Sequence, residues 1–231
     1  MRFTTLFDNF NCDENLQRLW GFSCFIEMDS GKNLLFDTGS NGRVLLSNAQ
    51  KIGVDFRDID FVFISHPHWD HICGLDTVIE ENPDITLILP SSLSKHYIKD
   101  LKEMVREVIV VDEFSELDFN MYSSGVMGEV GEQSLAIESN NKLYIISGCG
   151  HAGIDNIEKL FLDKLNKPVE YIMGGFHLFK STPQEIKRVI NNVNTKYITA
   201  THCTGDVAMG MIKVLYKNRF LDYGVGSVVE I

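Results

Sequence analysis

The apolar positions of this chain fall into short blocks separated by turn residues, and the period of the blocks changes along the way. Residues 2–7 alternate loosely and predict an edge strand, and the polar stretch 11–20 predicts a loop. Phe22 to Met28 alternates again, Asp29-Ser30-Gly31-Lys32 is turn chemistry, and Asn33 to Phe36 continues as the partner strand of a hairpin. Val44, Leu45, Ala49 and Ile52 recur at helical spacing, which predicts an amphipathic helix over 41–52 that stops at Gly53. Phe61-Val62-Phe63-Ile64 reads as a buried strand, 74–81 as a short helix, and Ile85 to Pro90 as another buried strand. Residues 91–105 predict a helix behind a serine-rich cap, and Val108 to Val111 a β-branched strand.

From Asp112 to Gly131 no period holds, and the segment reads as irregular. Leu135–Glu138 and Leu143–Ile146, joined by Ser139-Asn140-Asn141, predict a hairpin aimed into Gly148-Cys149-Gly150-His151. A helix over 154–165, a strand over 169–173 and a helix from Thr182 to about Val193 follow; Thr182-Pro183-Gln184-Glu185 combines a cap, an N1 proline and a capping-box glutamate. A strand over 197–200, a helix over 206–217 and a strand over 225–231 close the chain. Strands lead, and strand then alternates with helix twice over. That order predicts an α/β protein with helices covering sheets. No internal repeat and no Pro- or Gly-rich linker divides the chain, so residues 1–231 are expected to form a single domain.

The 231 residues suffice for a sizeable core, and 44% apolar with 23% charged residues is ordinary for a globular protein. The net charge of −11 disfavours a non-specific nucleic-acid binder, which needs a basic face. Bound cations would offset that charge locally, so a small anionic substrate stays compatible. The five cysteines stand apart at 12, 24, 73, 149 and 203, an odd number without a CxxC, which predicts reduced thiols. The first residues carry one Arg, then Asp8, without a long apolar run, so no secretion signal is expected. No run of eighteen apolar residues predicts a membrane span, and cytoplasm is the expected compartment. Nothing in the pattern sets an oligomeric state.

The candidate chemistry concentrates in His66-Pro67-His68-Trp69-Asp70-His71, just after the strand ending at Ile64. Three of the chain's seven histidines stand within six positions, a density that accident in a polar loop rarely produces. Imidazole nitrogen and carboxylate oxygen suit zinc-like cations, and His66 and His68, two apart in an extended loop, can converge on one ion. Asp70 and His71 could reach a second ion. His151, His177 and His202 likewise follow predicted strands, where rigid scaffolds present reactive groups. His96 lies in a helix between Lys95 and Tyr97 and is expected to face solvent. Trp69 is expected either to wall a pocket or to pack beneath the loop.

His66-x-His68-x-Asp70-His71 after a hydrophobic strand resembles the signature of the metallo-β-lactamase fold superfamily, and Leu34-Leu35-Phe36-Asp37-Thr38-Gly39 resembles the strand and turn that precede it there. Ser147 to Gly153, Gly174-Gly175-Phe176-His177-Leu178 and Ala200 to Gly205 are similar to one branch. That branch holds the dihydropterin ribofuranosylaminobenzene-phosphate synthase-like proteins, otherwise known only as metal-dependent hydrolases. The resemblance covers nearly the whole chain. It implies a four-layer αββα sandwich of mixed sheets with a metal site at the sheet edge.

Carried over by motif, the resemblance implies that His66, His68 and His151 hold one divalent ion, and Asp70, His71 and His202 the other. A water or hydroxide would bridge them. Zinc is the expected metal, with manganese and iron compatible. Asp37 would brace the metal-binding loop by hydrogen bonds, although Asp-Thr-Gly is also plain turn chemistry. Where many relatives place a bridging aspartate, this chain has Cys149, which could bridge, could bind one ion, or could be a small packed residue. Glu132 is an alternative ligand should His151 be displaced. Asp70 could act as acid or base as well as ligand, and His177 is assigned proton transfer or substrate contact against a purely structural role. The glycines before His177 would allow close backbone approach, with substrate as the candidate neighbour.

The expected function is metal-dependent hydrolysis of an ester, phosphoester or related small substrate. A synthase of the branch type is the first alternative. A di-iron oxidoreductase is the second, disfavoured because such relatives tend to carry a carboxylate where this chain has His68. A purely structural metal site would more often be a closed, cysteine-rich set of four.

Overall fold

The computed structural model describes residues 1–231. Thirteen strands form two mixed sheets. Strands β1 (Arg2–Phe7), β2 (Ser23–Glu27), β3 (Asn33–Phe36), β4 (Phe61–Phe63), β5 (Thr86–Pro90), β6 (Glu107–Val111) and β13 (Val228–Glu230) make the first, in the order β13-β1-β2-β3-β4-β5-β6. Strands β7 (Ser115–Leu117), β8 (Met121–Ser123), β9 (Leu135–Ser139), β10 (Lys142–Ser147), β11 (Val169–Gly175) and β12 (Tyr197–Thr201) make the second, in the order β12-β11-β10-β9-β8-β7. β3, β4, β5 and β6 run parallel, as do β10, β11 and β12; the remaining pairings are antiparallel.

Seven helices cover the outer faces: α1 (Gly42–Ile52), α2 (Trp69–Ile72), α3 (Leu75–Glu81), α4 (Lys95–Met104), α5 (Ile154–Leu165), α6 (Pro183–Asn192) and α7 (Asp206–Tyr216). Three apolar layers hold the stack together. Phe3, Phe22, Ile26, Phe36 and Phe63 of the first sheet meet Met121, Leu135, Tyr144, Ile146 and Tyr171 of the second. Leu45, Leu75, Val78 and Leu101 of the helices pack on the outer side chains Leu35, Val62 and Leu87. Ile157, Phe161, Ile186 and Ile212 pack on Leu143, Ile145 and Ile172. Successive strand residues point to opposite faces, so the central strands must be apolar throughout, and their sequences are. The result is the αββα sandwich that the resemblance implied.

Local chemistry explains the boundaries. Asn41 caps α1 by accepting the Val44 N–H at 3.1 Å, and the helix ends at Gly53 with φ 90°. The expected capping box of α6 is present: Glu185 accepts the Thr182 N–H at 2.7 Å, and Thr182 Oγ1 accepts the Glu185 N–H at 3.4 Å.

Two expectations fail. β1 is not an edge strand; β13 pairs outside it, and five of its six residues are buried. Its alternation is loose because both faces are covered. The segment 112–131 is not wholly irregular, since it contains β7 and β8, joined through the 3-10 turn Asp118–Asn120. Three-residue strands are too short to show a period.

Candidate metal centre

Five chain segments deliver the candidate side chains, and all five leave the carboxyl ends of parallel strands. Asp37 follows β3, Ser65-His66 follows β4, Cys149 to His151 follows β10, His177 follows β11 and His202 follows β12. The two sheets face each other, so their strand ends meet at one edge of the sandwich. Only His66 to His68 is extended as expected. The next residue starts the short helix α2, which turns Asp70 and His71 back toward the histidines.

The structure brings together every residue of the implied ligand sets. Candidate donor atoms of His66, His68 and His151 all lie within 4.8 Å of one another, and so do those of Asp70, His71 and His202. Cys149 stands between the two triads: its Sγ shares such a group with His66 and His71, and lies 3.3 Å from His71 Nε2. The sulfur thus lies between a donor of one triad and a donor of the other. His177 joins Cys149 and His151 in a further group, its ring centroid 4.2 Å from that of His151.

Hydrogen bonds fix which imidazole nitrogens are free. Asp37, fully buried, accepts the Ser65 N–H through Oδ1 at 2.7 Å and the Ser65 hydroxyl through Oδ2 at 2.7 Å. The Ser65 oxygen is then an acceptor for His66 Nδ1–H at 2.8 Å. Asp37 Oδ2 also takes His71 Nδ1–H at 2.7 Å. Asn9 Oδ1 faces His202 Nδ1 at 3.1 Å, and the Asn9 amide donates to the His202 carbonyl at 3.0 Å, which makes Oδ1 the acceptor of His202 Nδ1–H. In His66, His71 and His202 the Nε2 lone pair therefore points inward.

These lone pairs face other nitrogens. His71 Nε2 lies 3.2 Å from His202 Nε2, and His66 Nε2 lies 2.9 Å from His68 Nδ1. Two imidazoles bound at about 2.0–2.1 Å to one tetrahedral ion would have nitrogens roughly 3.3 Å apart. His151 Nε2 is buried without any hydrogen-bond partner. Buried polar atoms seldom stay unpaired, and an imidazole nitrogen aimed into a nest of others is the donor a cation would use. The residues present fit a pair of divalent ions.

Electrostatics support neutral, ligand-ready imidazoles in the first triad. Burial pushes the His66 and His68 pKa values down, and that of His151 to about 4, with His177 and His68 as further causes for His151. In the second triad the carboxylates dominate. Burial opposes protonation of His71, but Asp37 more than offsets it and raises the pKa above its ordinary value. Burial also works against ionised Asp70, yet its contacts with His202 and His71 hold it below the usual carboxylate range. The Cys149 thiol is pushed far up by hydrogen bonding to Cys203 and by burial.

With His151 in place, Glu132 joins none of the candidate donor groups. Its carboxylate accepts the backbone N–H groups of Cys149, Gly150 and His151 at 2.7, 3.0 and 2.8 Å, and so shapes the turn that presents Cys149 and His151. Gly174 and Gly175 make close approaches, but to their own chain: a Cβ on Gly174 would lie 1.9 Å from the Ser147 carbonyl oxygen, and one on Gly175 2.5 Å from that of Gly148. Trp69 is 58% exposed and flanks the centre instead of packing beneath it, and His96 is exposed as expected.

The connection between β1 and β2 supplies residues that periodicity does not reveal. Trp20 donates its indole N–H to Asp70 Oδ2 at 2.8 Å, and Asn9 holds both His202 and the Gly21 N–H. Asp8 accepts the Thr201 hydroxyl at 2.6 Å next to His202. His177 and His202 both adopt left-handed backbone with φ near 50°. Such conformations cost on the order of 1 kcal/mol each and gather where side chains must be aimed.

This fold, with these motifs at one sheet edge, belongs to a known class. Residues 21–154 match the family profile of the metallo-β-lactamase superfamily, and the chain is a member of it. Among individual proteins, 7,8-dihydropterin-6-methyl-4-(β-D-ribofuranosyl)-aminobenzene-5'-phosphate synthase of Methanocaldococcus jannaschii is 24% identical over 266 aligned positions, covering 91% of this chain and 89% of the relative. Protein MJ0448 of the same organism is 27% identical, with 91% and 93% covered. The crystal structure of Tm1679, a metal-dependent hydrolase of the β-lactamase superfamily, superposes with a TM-score of 0.83 at 25% identity, covering 100% and 99% of the two chains. No helix of the present chain is long and apolar enough to cross a membrane.

Proposed function

We propose that the chain is a metal-dependent hydrolase with a dinuclear, zinc-type centre, acting on an ester, phosphoester or related small substrate. The observation that carries this reading is the pair of facing triads, His66–His68–His151 and Asp70–His71–His202, with Cys149 between them. Two bound cations would supply acidified water at neutral pH and neutralise charge on a leaving oxygen.

The chain's own residues do the rest. Ser65, Asp37 and Asn9 hold the Nδ1–H of His66, His71 and His202, so that Nε2 is the nitrogen turned inward in each. Asp70, held ionised and steered by Trp20, turns a carboxylate oxygen toward the second triad and is the candidate acid or base among its ligands. His177 stands at the exposed side of the first triad, and contact with Cys203, outweighing the opposing effect of burial, raises its pKa above the ordinary imidazole value. We assign it proton donation to the leaving group. Phe179, with Lys180 5.1 Å from its ring centre, lies beside His177 and offers a cationic contact for a small anion. An acidic chain of this kind is expected to work in the cytoplasm on small molecules, without nucleic acid or membrane as partner.

The test is turnover by metal-reconstituted protein on a panel of phosphodiesters, lactones and thioesters. Metal-dependent hydrolysis of one class, abolished by His68→Ala, is expected. Silence on the whole panel would shift weight to a group-transfer reaction. That second reading is favoured by the 24% identical relative, whose name is that of a synthase.

A further inference from the structure

Two of the three buried cysteine thiols in this protein lie outside the apolar layers. Cys24 packs in the layer between the sheets, 3.8 Å from Met173 Sδ. Cys149 and Cys203 are as deeply buried, yet belong to none of the three apolar layers. They arrive from different strands, Cys149 after β10 and Cys203 after β12, on either side of β11. Their Sγ atoms and a ring nitrogen of His202 all lie within 4.8 Å of one another.

The intervening strand is bare where the sulfurs meet. A Cβ on Gly175 would fall 2.6 Å from Cys203 Sγ and 3.2 Å from Cys149 Cα. A side chain there would displace the Cys203 sulfur from beside Cys149. Cys203 Sγ reaches the Cys149 carbonyl at 3.5 Å and also contacts the Cys149 thiol and the His177 imidazole, so its partners are themselves candidate donors of the centre. A buried thiol outside the apolar layers, set against a second thiol and the imidazoles of His177 and His202, has the surroundings of a metal donor.

We infer that Cys203 is a second sulfur donor of the metal centre, serving the His202 side while Cys149 serves the position between the triads. This rests on the dinuclear reading and deepens it. Each thiol that binds does so as thiolate and releases its proton to solvent. A centre with two thiolates selects zinc, cobalt or cadmium over manganese or magnesium, because soft sulfur suits the former and carboxylate and water suit the latter.

The test is cobalt(II) reconstitution, with bound cobalt measured on the same samples. The wild type is expected to show a thiolate-to-cobalt charge-transfer band in the near ultraviolet. Cys149→Ser and Cys203→Ser should each lose about half of it per bound cobalt, and the double variant all of it. An undiminished band in Cys203→Ser at full cobalt content would overturn the inference and leave the dinuclear reading standing. Failure of the wild type to bind cobalt or zinc at all would sink the dinuclear reading itself. Should the serine variants misfold, X-ray absorption of the wild-type zinc protein decides: two sulfurs at about 2.3 Å per two zinc ions support the assignment, and a single sulfur per pair or a shell of nitrogen and oxygen alone overturns it.

Discussion

Asp37 Oδ2 stands 2.7 Å from His71 Nδ1, and the same oxygen takes the Ser65 hydroxyl that orients His66. One buried carboxylate thus sets the tautomer of an imidazole in each triad. Asp37→Asn would replace one acceptor oxygen by a donor and leave either Ser65 or His71 mispaired. Metal affinity is expected to fall roughly 10- to 100-fold while the fold is retained. Chelator competition measures it, and unchanged retention would show that Asp37 is turn chemistry only.

Gly148 makes this relay geometrically possible. A Cβ there would lie 2.2 Å from Ser65 Oγ and 3.0 Å from Asp37 Oδ2. Gly148→Ala should destabilise the protein by about 1–3 kcal/mol, as overpacking does, and weaken metal binding together with stability. Urea denaturation of metal-free and metal-loaded protein separates the two effects.

Glu158, on α5, is buried with Oε1 unpartnered, while Oε2 accepts the Asn194 N–H at 2.8 Å. Burial, with Asp155 adding to it, raises its pKa from 4.5 to about 7. The folded state therefore holds a proton that the unfolded chain has lost, and this contribution to stability disappears as pH rises from 4.5 through about 7. Glu158→Gln removes that loss. Relative to wild type the variant should gain on the order of 1–3 kcal/mol between pH 4.5 and pH 8. Thermal melts at the two pH values check it, and a constant difference would contradict it.

His151 works in the opposite sense in the metal-free protein. Its folded pKa is near 4 against 6.5 unfolded, so unfolding takes up a proton between those values and stability falls as pH drops from 6.5 toward 4. His151→Gln should show a shallower acid loss across that window. Bound metal should move the wild-type loss to lower pH, because a coordinated nitrogen resists protonation.

The legible parts of this fold were those with a long period or strong punctuation. The blocks at Phe61–Ile64 and Ile85–Pro90 could only be buried strands, and Thr182-Pro183-Gln184-Glu185 could only start a helix. β7 and β8 escaped because strands of three residues carry no period. At the centre, the histidines were legible from their spacing. Their supports were not: Asn9, Trp20 and Ser65 act through single hydrogen bonds across the chain, which no local pattern records. The part Glu132 plays was not legible, because its three acceptor bonds to a distant turn cannot be seen in one dimension.

Elemental analysis of reconstituted protein bears most directly on the facing triads. Wild type should bind about two transition ions per chain, with His68→Ala and His202→Ala each lowering the content to about one by emptying different positions. Wild-type protein that binds no metal, or variants that keep the full wild-type content, would contradict the assignment of these histidines.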